Sequence, residues 1–135
     1  MIEYLELKHI LAMHEVLLAK YGGLKGIRDR GLLESAIAQP QQSAFGEDIF
    51  PDVTSKAAAY AFYLSENQPF IDGNKRIATA AALTFLRLNG YDLKASEKEL
   101  YEVIMQIANK KLSRNKLAQW FKKNTVRKRK KAKKL

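Results

Sequence analysis

Between residues 67 and 76 the chain reads Asn67-Gln68-Pro69-Phe70-Ile71-Asp72-Gly73-Asn74-Lys75-Arg76. A carboxylate, a glycine and two cations thus stand directly before an apolar run, Ile77 to Leu86. That run reads as a helix, so the segment forms its first turn. A helix N-terminus presents unpaired backbone N–H groups and a partial positive charge, which suits anions. Gly73 lets the backbone approach a ligand closely. Lys75 and Arg76 add two cations in the same turn, and the guanidinium fork can hold phosphate oxygens in pairs. Beside bound phosphate, Asp72 could hold Mg²⁺, which favours one or two carboxylates plus phosphate oxygens. A second reading of the same residues is purely structural: Asp72 caps the helix and pairs with Arg76 at i, i+4. Chemistry alone leaves both open.

The elements around this segment are helical. Leu7, Ile10, Leu11, His14, Leu17, Leu18 and Tyr21 form one apolar stripe, ended by Gly22-Gly23. Residues 29–39 predict a short helix that Asp29 caps and Pro40 stops. Residues 41–52 show no helical period and read as a loop or short hairpin. Val53, Ala57, Tyr60, Ala61 and Leu64 predict a third helix with one inner face. The run 77–86 is apolar almost all round, places its helix at the centre, and meets a C-cap pair at Asn89-Gly90. Ser96 with Glu99 opens a further helix to about Asn109, and Ser113 caps a last one bearing Leu117, Trp120 and Phe121. No strand-rich segment or repeat is evident. The expected class is all-α, roughly six helices around a buried one, with a short loop or hairpin flap.

Composition narrows the chemistry. The chain has 135 residues, 47% of them hydrophobic, which suffices for one domain. It has no cysteine, excluding disulfides, thiol nucleophiles and Cys-ligated zinc, and fitting a reducing, cytoplasmic setting. His9 and His14 are its only histidines, too few for a multi-histidine metal site. No stretch is long and apolar enough for a membrane span, and the acid-bearing start MIEYLELKHI is not expected to be a secretory signal. Of the formal charge of +10, residues 127–134 (RKRKKAKK) hold seven positives, leaving +3 for the rest. The reading is a domain over 1–124 and a disordered, solvated basic tail over 125–135. A salt-sensitive nucleic-acid contact through 127–134 is its alternative role.

The segment Gln68-Pro69-Phe70-Ile71-Asp72-Gly73-Asn74-Lys75-Arg76 resembles the signature loop of the Fic/Doc superfamily, His-x-Phe-x-(Asp/Glu)-(Gly/Ala)-Asn-(Gly/Lys)-Arg. The likeness is greatest to the Doc ("death on curing") toxins of toxin–antitoxin modules. Tyr21-Gly22-Gly23, the run Arg28 to Ala36, Pro40-Gln41 and Leu88-Asn89-Gly90-Tyr91 are also Doc-like, so the resemblance covers about residues 4–121. It implies the all-helical Fic fold. It implies nucleotide binding by Phe70, Gly73, Asn74, Lys75 and Arg76, with Mg²⁺ on Asp72 and ATP as donor. Doc toxins phosphorylate a threonine of elongation factor Tu, whereas most Fic proteins transfer AMP. AMP-transferring relatives mostly carry Gly where this chain has Lys75, so the resemblance favours phosphoryl transfer.

The first motif position departs from the family. The resemblance assigns the catalytic base to a histidine there, and this chain has Gln68. A carboxamide takes no proton at neutral pH, and a general base is worth about 10²- to 10⁴-fold in rate. The expectation is a weakened enzyme or an inactive module that still binds nucleotide or antitoxin. Asp72, Lys75 and Arg76 complete the catalytic set. His14, on an apolar stripe, is read as a structural histidine with one hydrogen-bond partner, and His9 as exposed. Ile77, where Doc-like chains often have Thr, is expected to face the core. In Fic relatives a flap pairs with the target backbone, and Phe45, Gly46, Ile49 and Phe50 suit that role. The alternative is an ordinary loop anchored by Phe45 and Phe50. No inhibitory helix motif is evident, which implies control in trans by an antitoxin.

Overall fold

A computed structural model describes residues 1–128. Six helices are found among them: α1 (Leu7–Tyr21), α2 (Arg30–Ala38), α3 (Val53–Glu66), α4 (Asn74–Leu88), α5 (Glu97–Ala108) and α6 (Arg114–Asn124). Two small antiparallel ladders accompany them. β1 (Ser43–Ala44) pairs with β2 (Glu47–Asp48), and β3 (Tyr91–Leu93) pairs with β4 (Thr125–Arg127). The all-helical expectation with a small hairpin flap is met. No described helix is long and apolar enough to cross a membrane.

The centre of the molecule is a pair of helices. α4 is buried along Ile77, Ala78, Thr79, Ala81, Ala82, Leu83, Phe85 and Leu86, as its composition requires, and Ile77 faces the core. α3 departs from its expected single inner face: Lys56 through Ala61 are all buried. Alanines make this possible, because small side chains let the two helix backbones approach while α2, α5 and α6 cover α3 from other sides. Apolar patterning located α3's inner face, but alanine carries too weak a signal to reveal burial all round.

Both ends of the described segment are tied down. The Tyr60 hydroxyl accepts a hydrogen bond from the Leu5 N–H at 2.9 Å and donates to the Leu5 carbonyl at 3.3 Å. Burial pushes this phenol up to about 12, so it stays a donor at any working pH. Asn89 binds both backbone groups of Glu3. At the other end, β4 aligns Val126 with Asp92, and the Lys128 N–H donates to the Gly90 carbonyl. The boundary expected after residue 124 therefore falls too early. Thr125–Arg127 is a paired strand, because β3 offers a free ladder edge beside the α6 C-terminus. The remainder of the expected tail, and the disorder and nucleic-acid contact read from it, lie outside the described residues.

Candidate functional site

The loop between α3 and α4 is shaped by groups that sequence spacing did not connect. Asn74 closes it locally: its Oδ1 accepts the Phe70 N–H at 2.9 Å and its Nδ2 donates to the Phe70 carbonyl at 3.0 Å. The Phe70 ring is buried and stacks on the His14 imidazole at 3.8 Å. His14 Nε2 donates to the Asp72 carbonyl at 2.8 Å, since a carbonyl can only accept. His14 is thus buried with one hydrogen-bond partner, while His9 is exposed and accepts the Glu6 N–H.

A second strap comes from residues 24–29, which lead into the helix that Asp29 caps. The Arg28 and Asp29 N–H groups both donate to the Pro69 carbonyl, and the Ile71 N–H donates to Gly26. The Arg28 side chain adds Nε to the Gln68 carbonyl at 2.6 Å and a terminal nitrogen to the Asn67 carbonyl at 2.7 Å. This clamp holds Gln68 at φ +45°, a left-handed conformation uncommon for a non-glycine residue. Its glycines are the one sequence signal that marks it. A Cβ at Gly23 would lie 2.9 Å from Asp72 Oδ2, and one at Gly26 would lie 2.7 Å from Ile71 Cδ1.

α4 starts without a side-chain cap. Its N-cap is Gly73 at φ +80°, which leaves the first-turn N–H groups open. The structural reading of Asp72 does not hold. Its carboxylate turns back, accepting the Gly73 N–H at 2.9 Å and the Leu24 N–H at 3.1 Å. It forms no ion pair with Arg76. The Arg76 guanidinium instead lies 3.6 Å from the Tyr21 ring centroid and 4.7 Å from that of Tyr101. Neither Lys75 nor Arg76 is paired with an acid among the described residues.

These groups face open space. A cleft of about 440 Å³ is bounded by His14, Leu17, Leu18 and Tyr21 of α1, by Asp72 to Arg76, and by Tyr101 of α5. A smaller recess of about 150 Å³ lies beside it, bordered by Ser65, Gln68, Ile71 and Asp72 to Lys75. The two share Asp72, Gly73, Asn74 and Lys75. Of the expected site residues, Gly73, Asn74, Lys75 and Arg76 border the cleft and Gln68 borders the recess. Phe70 reaches neither: its ring is held in the core, and it acts on the site by fixing the loop. Tyr21, Tyr101 and Ser65 were missed. Tyr21 sits on the α1 stripe that read as packing, and neither Tyr101 nor a lone serine carried a pattern.

The profile of the Fic/DOC family matches residues 4–86, more than half of the chain. The chain belongs to the Fic/DOC family. It is 43% identical over 95 residues to Toxin Doc of Mycolicibacterium smegmatis (strain ATCC 700084 / mc(2)155), covering 70% of this chain and 71% of that protein. It is 36% identical over 83 residues to the Protein kinase doc of Escherichia phage P1, covering 62% and 65%. The family match ends at residue 86, short of the stretch to about 121 that the motifs suggested.

Within this Fic/DOC frame, Mg²⁺ fits the donor set. Each Asp72 oxygen accepts one backbone N–H and keeps a lone pair for a ligand. No group of three or more acidic or histidine ligands exists among the described residues. One carboxylate suits a Mg²⁺ that arrives with phosphate oxygens and water.

The flap region divides by residue. Phe45 (φ +54°) and Gly46 (φ +79°) form the tight hairpin turn, with Phe45 fully exposed and Ile49 half exposed. Phe50 is buried under the Arg114 guanidinium. The expectation that Phe50 docks a target is corrected, and so is the alternative in which Phe45 anchors the loop. Phe50 falls beyond the ladder, where the chain turns inward to α3. The buried Lys56 ammonium binds Asp48 Oδ2 at 3.0 Å and the Phe50 carbonyl, fixing the flap's base.

Proposed function

We propose that this chain is the toxin of a toxin–antitoxin pair. In this reading it transfers the terminal phosphate of ATP to a hydroxyl of a translation protein of the elongation factor Tu type, and is slowed by Gln68. The observation that carries the reading is the uncapped α4 N-terminus, opening with unpaired Lys75 and Arg76 into a cleft. The name Toxin Doc of the mycobacterial relative and the name Protein kinase doc of the phage relative support it. The setting would be cytoplasmic, where ATP and the target are found.

The chain's own groups divide the work. The Asn74 and Lys75 backbone N–H groups and the two cations hold phosphate oxygens and offset the charge that shifts during transfer. Asp72 would hold Mg²⁺, which when bound neutralises phosphate charge. The smaller recess admits the acceptor hydroxyl beside Gln68. That hydroxyl attacks the terminal phosphorus, the bond to the ADP oxygen breaks, and the hydroxyl proton leaves to solvent. Gln68 can orient the hydroxyl with its amide but takes no proton. Phosphoryl transfer tolerates that loss because its transition state is loose and rests on positioning and charge. Lys75 narrows the space that a departing pyrophosphate would need, which favours phosphate over AMP transfer.

Gln68 favours a second reading: a Fic-fold module that binds nucleotide or an antitoxin segment without transfer. Mass spectrometry of elongation factor Tu after incubation with ATP and Mg²⁺ separates them. The expected result is a slow phosphate-sized gain, faster by about 10²- to 10⁴-fold with Gln68→His. The clamped left-handed backbone at residue 68 is already formed and would receive the imidazole. An AMP-sized gain would refute the Lys75 argument. No gain from either form, with ATP still bound, would leave the binding module.

A further inference from the structure

Arg76 is held in an unusual way for a site cation. Arg30 binds the Glu34 carboxylate at 2.9 Å, and Arg114, which also lies over the Phe50 ring, donates to the Tyr63 hydroxyl at 3.2 Å. Arg76 lies over the Tyr21 ring at 3.6 Å and near the Tyr101 ring at 4.7 Å, with no acid partner among the described residues. Tyr21 closes the C-terminus of α1, and Tyr101 stands on α5. Two elements distant in sequence thus converge on one guanidinium at the rim of the cleft. Lys20 lies 5.2 Å from the centroid of the same Tyr21 ring.

The physics of this contact differs from an ion pair. A carboxylate would fix Arg76 but cancel its charge and occupy its donors. An aromatic face attracts the cation through its quadrupole and leaves the charge uncancelled. Stacking also fixes the guanidinium plane, so its N–H groups remain free at the edge for a planar acceptor pair.

We propose that Tyr21 and Tyr101 are positioning residues that preset Arg76 for the phosphate chain of the bound nucleotide. The inference rests on the nucleotide reading above. It adds that aromatic faces, not an acid, tune this family member's Arg76. The π-face is what matters, so Phe serves at either position and an aliphatic side chain does not.

The test is calorimetric titration of ATP with Mg²⁺, and separately of inorganic tripolyphosphate, into the whole chain and into Tyr21→Phe, Tyr21→Leu, Tyr101→Phe, Tyr101→Leu and Arg76→Ala. The expected pattern is weaker binding of both ligands in each Leu variant, by about three- to tenfold, with near-native binding in each Phe variant. Tyr21→Leu combined with Arg76→Ala should bind no more weakly than Arg76→Ala alone, because the ring acts through the arginine. Thermal melts of the free proteins accompany the titrations. Tyr21 is half exposed at a helix end, so Tyr21→Leu should melt within a few degrees of the native chain. Equal loss in the Phe and Leu variants would overturn the proposal by pointing to the hydroxyl. Native affinity in both Leu variants, with Arg76→Ala weakened, would overturn it while the nucleotide reading stood. An additive loss in the double variant would overturn it as well. Failure of the native chain to bind either ligand would overturn the nucleotide reading and this one with it.

Discussion

The two helices at the centre of the molecule lie side by side but begin in opposite ways. α3 is closed by Asp52, whose carboxylate accepts the Ser55 N–H at 2.8 Å, while the Ser55 hydroxyl accepts the Asp52 N–H at 3.2 Å. α4 starts at Gly73 with no side-chain cap, and the neighbouring Asp72 turns its carboxylate to the 24–29 strap instead. α2, α5 and α6 follow α3, capped by Asp29, Ser96 and Ser113. Capping satisfies orphan N–H groups and stabilises a helix by about 1 kcal/mol. Leaving them free at α4 forgoes that stability and keeps donors available to a ligand. One helix start is closed by its own side chains, the other stays open, and the loop before α4 is held from outside by Arg28 and His14.

This contrast can be broken from either side. The largest effect should come at the open start. Replacing Lys75 and Arg76 together by Ala should weaken ATP binding about 100-fold or more, because each charge-assisted contact contributes about 1.5–3 kcal/mol. The melting temperature should fall by no more than a few degrees, since neither residue has an ion-pair partner among the described residues and only the Arg76 contacts with the Tyr21 and Tyr101 rings are lost. A large loss of stability with unchanged affinity would reverse the assignment. Next comes the strap. Arg28→Ala removes two hydrogen bonds to the Gln68 and Asn67 carbonyls, with an expected loss of about 1–2 kcal/mol in urea unfolding. Hydrogen exchange should speed up at residues 69–72, and unchanged exchange there would show that the loop is rigid without Arg28.

At the closed start, Asp52→Ala should cost about 1 kcal/mol at neutral pH and leave ATP affinity intact. Burial raises the Asp52 carboxyl, but hydrogen bonds from Ser55 and Thr54 and the charge of Lys122 outweigh it and hold the group below 3.8. A carboxyl depressed in the folded state adds stability above its unfolded value and loses it as pH falls through the folded value. The difference in melting temperature between the native chain and Asp52→Ala should therefore shrink below about pH 4, and a pH-independent difference would contradict this origin. The smallest effect on stability belongs to the flap. Phe45→Ser should change folding by less than about 0.5 kcal/mol, because the ring is fully exposed. A pull-down of elongation factor Tu reads its role in target docking, and retained capture would remove Phe45 from it.

Much of the fold was legible because its signals are local. The α1 stripe ends at Gly22, Ser96 pairs with Glu99, and the apolar run from Ile77 sits in the core, each where spacing put it. What misled was context. Alanine's weak signal gave α3 one inner face, whereas packing buries Lys56 through Ala61 on every side. The basic tail masked Thr125–Arg127, whose strand exists only because β3 lies beside it. At the site, the charged and glycine residues were visible as a group because they are adjacent in the chain. Tyr21, Arg28 and Tyr101 were not, because each reaches the loop across 25 residues or more of sequence.

The sequence by itself determined that the chain is helical, that a carboxylate, a glycine and two cations stand before its most apolar helix, and that residue 68 carries an amide. These follow from residue type and near-neighbour spacing, which physical chemistry reads directly. The tertiary structure alone decided which way each group faces. It turned Asp72 away from the helix it seemed to cap, set Arg76 on aromatic rings, buried Phe50 and exposed Phe45. Orientation depends on partners supplied by distant segments, and no local pattern encodes them.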